Sequence, residues 1–459
     1  MGGLVLTGLD ALVRELTLFA AVGFLVGGIG DLVVDLAWLS HRLRHGTTRR
    51  PISSLPAPAA EQPGGLAIFV PVWDEALVIG AMLRTALARY AHPHFRIYVG
   101  CYPNDRATID AVAAVAERDP RVRPVIGSRP GPTTKADNLN TMWRAMRRDD
   151  VASGERTRAV VLHDAEDVVH PAELRVFDAL IDQHPLVQIP VLPLIDREAR
   201  LVSGHYADEF ADSHGRQMVL RAALGAGLPL SGVGCAIAVE VLEALADAHG
   251  APFDQNSLTE DYELGLRAGA LGYAACFARV EDVDGELVAV RAFFPSTLTA
   301  AVRQKGRWMT GIALAGWDRI GWARATHVAD HWMRMRDRRA PIAVIVLAAA
   351  YLASVGWGLS AVVHLATGLP TPPVDRGLQA ILNVNAGLLV WRLAWRAAST
   401  GRAYGWREAL WSLPRAVIGN LIAMFAAIRA AGQYARLLTG APPHWDKTTH
   451  VFPGEATPL

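Results

Sequence analysis

Apolar residues fall into two regimes along this chain: short runs alternating with helical periodicity between positions 66 and 295, and long unbroken blocks on either side. Leu66 to Val70 is a continuous apolar run of buried-strand length, and Glu75 to Tyr90 follows with helical spacing. The alternation continues with a strand at Arg96 to Val99, a helix at Ala107 to Glu117, a short strand at Val122 to Ile126, a helix at Thr134 to Arg148 and a strand at Ala159 to Leu162. Repeated strand–helix units predict an α/β, Rossmann-like domain with a mostly parallel sheet. Ligands of such sheets bind at the carboxyl ends of strands, near the point where strand order reverses.

The long blocks predict a membrane part. Phe19 to Leu39 is apolar apart from Asp31 and Asp35, is long enough to cross a bilayer, and is followed by Arg42, Arg44, Arg49 and Arg50. The positive-inside rule then places the next residues in the cytoplasm. A cleaved signal peptide is not expected, because the run is too long and lacks a basic leader. Pro341 to Leu365 and Leu378 to Trp395 read as further spans. Leu410 to Ala427 carries Pro414 and Arg415, and a crossing there would put the C-terminus outside; it is expected to lie in the interface or to enter and return. Trp317, Trp322, Trp332, Trp391, Trp395, Trp406 and Trp411 flank these blocks as an aromatic belt would.

The expected organisation is an N-terminal transmembrane helix (1–46), a linker rich in Pro, Ser and Ala (47–65), the α/β domain (66–295), amphipathic interface helices (296–340), membrane helices (341–430) and a cytoplasmic C-terminal segment (431–459). The balance of 45 basic against 44 acidic residues argues against a nucleic-acid partner. Cys101, Cys235 and Cys276 have no paired spacing, so the soluble part suits a reducing compartment.

Candidate chemistry falls at the strand ends. Glu75 and Asp105 each follow a strand and precede a helix, where helix capping accounts for a carboxylate as readily as function does. Lys135, at the start of the next helix, could reach a phosphate. His163-Asp164-Ala165-Glu166-Asp167 closes the most apolar strand, and its crowded carboxylates repel one another without a cation. Asp164 and Glu166 are therefore candidate ligands of Mg2+ or Mn2+, with diphosphate oxygens completing the shell. Asp261, beside Glu260 and after Thr259, is a candidate base for a sugar hydroxyl, although Thr259 as a helix cap is the plainer reading. Gln304, Arg307 and Trp308 spell Q-x-x-R-W between the soluble region and the apolar last third.

In this order, Asp164-x-Glu166, Thr259-Glu260-Asp261 and Gln304-x-x-Arg307-Trp308 resemble the family 2 glycosyltransferases of the membrane synthase type, the group of cellulose, chitin and hyaluronan synthases. Within it, the bacteriophage N4 adsorption protein B type is the most similar. The resemblance covers about Gly65 to Trp317 and implies a GT-A fold, a multi-pass protein of the cytoplasmic membrane and inverting hexosyl or N-acetylhexosaminyl transfer. The donor would be a nucleoside-diphosphate sugar, a UDP-sugar by the family pattern, used with Mg2+ or Mn2+. Partners would be a saccharide or lipid-linked acceptor, membrane lipid and an export or outer-membrane protein. By the same resemblance Glu75 and Asp105 sit at the nucleoside, Lys135 near the nucleotide, Asp164 and Glu166 at diphosphate and metal, and Asp261 acts as base beside Glu260. Gln304, Arg307 and Trp308 bind acceptor and diphosphate, and Ser231 to Cys235, with Gly234, border the acceptor sugar. Trp445 to His450 resembles the gating loop of such synthases.

Two departures stand out: Pro103-Asn104-Asp105 replaces an Asp-Asp pair, and Asp164-x-Glu166 replaces Asp-x-Asp. With so few spans, neither a large translocation channel nor a cyclic-dinucleotide sensor is expected. Transfer of one sugar to a lipid-phosphate carrier, or a non-catalytic receptor or export scaffold on a transferase fold, are the alternatives.

Overall fold

The computed structural model describes residues 2–56, 64–441 and 451–453. Its centre is a seven-stranded sheet of β1 (Gly65–Pro71), β2 (Phe95–Cys101), β3 (Val122–Ile126), β4 (Thr157–Leu162), β5 (Leu186–Gln188), β6 (Cys235–Ala238) and β7 (Ala275–Phe277). The spatial order is β3-β2-β1-β4-β6-β5-β7. The first four strands are parallel, β6 runs antiparallel to β4 and β5, and β5 and β7 are parallel. Strand order reverses between β1 and β4, so the residues after Pro71 and Leu162 flank the crevice where such sheets bind ligands. Because β6 is antiparallel, with Cys235 opposite Leu162, the loop before Cys235 lies beside the end of β4.

Helix starts differ from the periodicity. The helix after β1 is Ile79–Arg89, later than Glu75, because Asp74 adopts a left-handed backbone (φ 54°) and Glu75 to Val78 form a turn. Asp105 caps helix Arg106–Ala116 by accepting from the Thr108 N–H. Thr134 caps Lys135–Ser153 in the same way through Asp137 N–H.

Beneath β4 lies a buried polar network. His163 is fully buried and bonds Asp167 and Glu173, each at 2.8 Å, while the Tyr90 hydroxyl donates to Glu173 at 2.5 Å. Burial alone would depress the imidazole, but Glu173 and Asp167 outweigh it and push it up to about 10 from 6.5. A raised folded value means that this contribution to stability is complete below pH ~6.5 and is lost as pH rises through about 10. Thermal unfolding should therefore fall by at least ~3 °C between neutral pH and pH 10, the shift that ~1 kcal/mol gives in a domain of this size. His163→Gln should start lower and show a flatter profile. A profile parallel to that of the unsubstituted protein would mean that no charged imidazole contributes.

Among the described residues three helices are long and apolar enough to cross a membrane: Val5–His45, Ala340–Thr367 and Trp406–Leu438. The first two pack side by side in opposite directions. Gly23 is pressed by Val346 and Gly356 by Val13, and the Trp357 indole N–H donates to Thr17. At one end of this pair Asp31 meets Arg336 (2.9 Å) and Arg339 (2.5 Å); at the other, Asp10 meets Ser360 (2.6 Å) and His364 (3.0 Å). At ~1.5 Å per residue, Asp10 to Asp31 spans about 31 Å, close to the ~30 Å hydrocarbon core of a bilayer.

The apolar pairing thus lies nearer the N-terminus than Phe19 to Leu39. Asp31 and Asp35 are protein-facing: Asp35 contacts Arg216 and accepts from the Trp391 indole N–H. Leu378 to Trp395 also differs from expectation. It belongs to helix Arg376–Tyr404, which is not among the three apolar helices; Gln379, Asn383 and Asn385 interrupt it, and Arg392 and Arg396 pair with Asp212 and Asp208 of the α/β domain. Leu410 to Ala427 lies within the continuous helix Trp406–Leu438, so the chain does not enter and return there. Glu408, Ser412, Arg415, Ile422, Ala426 and Ala430 form its buried stripe, whereas Leu410, Val417, Phe425 and Ile428 are exposed. Several flanking tryptophans meet arginines: Arg338 lies 4.9 Å from the ring centres of both Trp317 and Trp322. Trp445 to His450 lies outside the described residues.

Candidate active site

Four segments converge at the crevice. The loop after β1 is clamped to the loop after β2: the Asp74 N–H donates to Asp105 Oδ2 at 2.5 Å, and the Glu75 N–H donates to Thr108 Oγ1 at 3.0 Å. Trp73 and Tyr102 meet edge to face at 5.4 Å. Asn104 holds both polar atoms of the Gly131 peptide. Asp105 is thus engaged by the backbone of its own loops, Glu75 and Tyr102 are buried behind them, and Trp73 is the part-exposed aromatic ring.

After β4 the three carboxylates separate. Asp167 turns inward, accepting from the Asp164 N–H at 3.0 Å as well as bonding His163, so it braces the loop. Asp164 is part-exposed and accepts from Lys135 Nζ at 2.5 Å; Glu166 is buried beside it in sequence. Among the described residues no group of three or more His, Cys, Asp and Glu forms a protein-only metal site. Asp164 and Glu166 still supply two hard oxygen donors, a set that suits a divalent cation taking its other ligands from phosphate and water.

Glu260 and Asp261 open helix Glu260–Ala270 and approach the same point. Burial pulls the Lys135 ammonium down, yet the charges of Asp164, Glu260 and Asp261 more than compensate and hold it above its usual range. Burial, with Asp261 beside it, pushes Glu260 up to about 7, while Lys135 and Arg307 oppose the rise. Asp261 is also raised, chiefly by burial, against the pull of Lys135, the Tyr262 N–H and Arg307. Lys135, Asp164, Glu260, Asp261 and Arg307 therefore act on one another as one cluster. The loop before β6 is shaped around it: Gly232 is left-handed (φ +73°), and a Cβ there would stand 2.6 Å from Asp261 Oδ2. Gly234 has a different job. It bonds Leu162 and Ile189 through its backbone, and a Cβ would collide with Val290, so it joins strands and does not face the crevice.

Helix Leu298–Trp308 is capped by Thr297 and brings in the last three candidates. Gln304 Oε1 and Arg307 Nε are buried without a hydrogen-bond partner among the described residues. Trp308 is half-buried, with its ring centre 6.1 Å from Tyr206, 6.4 Å from Phe210 and 6.5 Å from Phe294. This aromatic wall joins residues far apart in sequence, and periodicity carries no sign of it.

Gly311 is a second feature that the sequence conceals. It sits in the π-helical turn Met309–Ala315, where a Cβ would stand 2.4 Å from Thr259 Oγ1, so this turn and the loop before Glu260 touch directly. The loop is braced from behind as well: Arg319 bonds Glu263 at 2.6 Å and Asp254 at 2.6 Å.

Comparison with known proteins agrees with this geometry. Residues 63–311 match the family model described as "Glycosyltransferase like family 2". The chain is 33% identical to the bacteriophage adsorption protein B of Escherichia coli K12 and to the bacteriophage N4 adsorption protein B of Escherichia coli O157:H7. In each case the match covers 96% of this chain and 62% of the relative, so the chain spans about three fifths of their length. Among solved structures, a mannosyltransferase of Pyrobaculum calidifontis, in complex with GDP-mannose and Mn2+, superposes with a TM-score of 0.56 at 18% identity, covering 93% of this chain and 99% of that one. At that identity the likeness concerns the fold, which is GT-A. With its matched region centred on the parallel sheet and the convergent carboxylates, the chain belongs to glycosyltransferase family 2.

Proposed function

We propose that the chain is a membrane-bound inverting glycosyltransferase that moves a hexosyl or N-acetylhexosaminyl group from a nucleoside-diphosphate sugar to a growing surface polysaccharide or glycan. The observation that carries this reading is the convergence of Lys135 and Asp164 with Glu260, Asp261 and Arg307 at the strand-order reversal. Trp73, backed edge to face by the buried Tyr102, would flank the nucleoside, with Asp105 and Glu75 holding their loops in place. Lys135 would neutralise diphosphate charge. Asp164 and Glu166 would hold Mg2+ or Mn2+, which supplies charge neutralisation for the leaving nucleotide.

Asp261 would accept the proton of the acceptor hydroxyl as that oxygen attacks the anomeric carbon. Its raised affinity for a proton makes it a better base than a solvated carboxylate. Attack on the face opposite the leaving group inverts the centre in one displacement. Gln304 and Arg307 would meet the diphosphate, and Trp308 with its aromatic neighbours would border the acceptor. The family pattern favours UDP, whereas the solved relative of the same fold is a GDP-mannose complex.

The α/β domain would face the cytoplasm, since Arg42, Arg44, Arg49 and Arg50 follow the first apolar helix and Arg336 and Arg339 precede the second. Helix Trp406–Leu438 would lie in the interface, buried stripe on the domain and apolar face toward lipid.

Purified membranes incubated with a panel of labelled UDP- and GDP-sugars should release labelled saccharide from one donor. Transfer should fall at least ~10²-fold with excess chelator and return with Mn2+ or Mg2+. Full activity in chelator, or in an Asp164→Ala/Glu166→Ala double variant, would remove the metal from the mechanism. Label confined to a lipid-phosphate carrier would redirect the acceptor assignment. No transfer from any donor would favour a scaffold role.

A further inference from the structure

Where the N-terminal helix meets the α/β domain, a cavity of about 550 Å³ is lined by six arginines, Arg42, Arg49, Arg216, Arg279, Arg291 and Arg402, against two carboxylates, Glu281 and Glu286. Arg49 is paired with Glu281 at 3.0 Å, and Arg216 with Asp35 and Asp212. Arg42, Arg279, Arg291 and Arg402 have no carboxylate at ion-pair distance among the described residues. Arg279 shows the strain of this arrangement. Burial pulls its guanidinium down to about 10, and Arg49 and Arg42 press in the same direction against the opposing charge of Glu281.

One wall is aromatic. Trp38 and Trp395 meet edge to face at 5.5 Å, with Arg42 5.4 Å from the Trp38 ring and Arg216 5.3 Å from that of Trp395. Guanidiniums gathered around a hollow attract an anion, and their planar forks fit phosphate oxygens; Arg279 and Arg291 are part-buried there, while Arg42 and Arg402 reach solvent. The size suits a whole small ligand, since such pockets run to roughly 300–1,000 Å³. A second cavity of about 330 Å³ shares Arg291 and adds Arg197, together with Arg200 paired to Glu408 at 2.5 Å.

We propose that this cavity binds a phosphate ester, its phosphate on Arg279, Arg291 and Arg402 and its apolar part against Trp38 and Trp395. The site is separate from Asp164 and Asp261, and the proposal does not rest on the transferase mechanism. It is nonetheless placed to communicate with it. Phe210 and His214 line the cavity; Phe210 also faces Trp308 at 6.4 Å, and His214 Nε2 lies 3.5 Å from Ser231 Oγ, next to the glycine that Asp261 overhangs.

Inorganic diphosphate is the probe, titrated calorimetrically in excess chelator against the full chain in phosphatidylcholine nanodiscs. Arg279→Gln/Arg402→Glu should weaken binding at least tenfold. Arg402→Glu alone should weaken it several-fold; that exposed side chain has no hydrogen-bond or ion-pair partner among the described residues, so the substitution breaks no such contact of the fold. Lys135→Ala should remove at most a separate component of the binding, since the proposed donor site also takes diphosphate, and should leave the component that depends on the arginines unchanged. Absence of binding, or binding that follows Lys135 and ignores the arginines, would overturn the proposal. Adding phosphatidylglycerol to the discs identifies the source. Competition that Arg402→Glu relieves points to a lipid phosphate, and absence of competition to a soluble ester, both supporting the site.

Discussion

Asp261→Asn is expected to lower transfer by ~10²- to 10⁴-fold, the range that a positioned base supplies, while donor affinity changes less than about threefold. The amide keeps the shape of the carboxylate, so Gly232 and the Tyr262 N–H retain their neighbour, but it cannot take a proton from the acceptor. Removing the charge also tests the cluster. Burial and Asp261 together keep Glu260 near neutral pH; without the Asp261 charge, Glu260 should ionise at lower pH. Glu260 cannot replace the base by default, because Asp261 is the carboxylate that overhangs Gly232. The measurements are initial rates of sugar transfer and donor titration on the same preparation. Parallel loss of binding and turnover would make Asp261 a donor-site residue, and unchanged turnover would move the base to Glu260.

Much of the catalytic domain is legible in the sequence because its sheet is buried on both faces. Leu66 to Val70 and Ala159 to Leu162 are continuous apolar runs that suit only such a position, and Val122 to Ile126 forms the strand expected. What periodicity cannot register is a side chain's partner. Asp31 and Asp35 interrupt an apolar run and look like tolerated charges in a span, yet Arg336, Arg339 and Arg216, each far away in sequence, turn them into the seam between the N-terminal apolar helix, the segment before Ala340 and the α/β domain.

The same limit applies at the site. Asp164, Glu166 and Asp167 are chemically equivalent in one dimension; only the fold turns Asp167 onto His163 and leaves Asp164 to Lys135. The order of the acidic motifs pointed to the crevice. Gly311 against Thr259, and Tyr206, Phe210 and Phe294 around Trp308, depend on tertiary approach and leave no local pattern.

That aromatic wall changes what Trp308 is asked to do. A headgroup anchor would tolerate any amphipathic ring, but here the indole is half-buried among three other aromatic rings beside Arg307, whose charge reaches Glu260 and Asp261. Arg307→Lys is expected to reduce transfer by ~10²- to 10³-fold, the loss seen when one preorganised group facing transition-state charge is removed. A lysine keeps the charge and loses the planar fork that can bind two diphosphate oxygens.

Trp308→Ala should leave the protein in the membrane and still able to bind donor, with acceptor-dependent transfer reduced at least ~10-fold as the platform for a sugar ring is lost. Trp308→Phe preserves most of the packing against Tyr206 and Phe294 and separates the two effects. Recovery of stability without recovery of transfer assigns the indole to the acceptor, whereas recovery of both assigns it to packing. Membrane fractionation, thermal unfolding and transfer on each variant decide between them. Normal transfer by correctly inserted Trp308→Ala and Arg307→Lys proteins would leave the conjunction of Gln304, Arg307 and Trp308 without a catalytic role, and the acceptor would have to be sought along another face of the crevice.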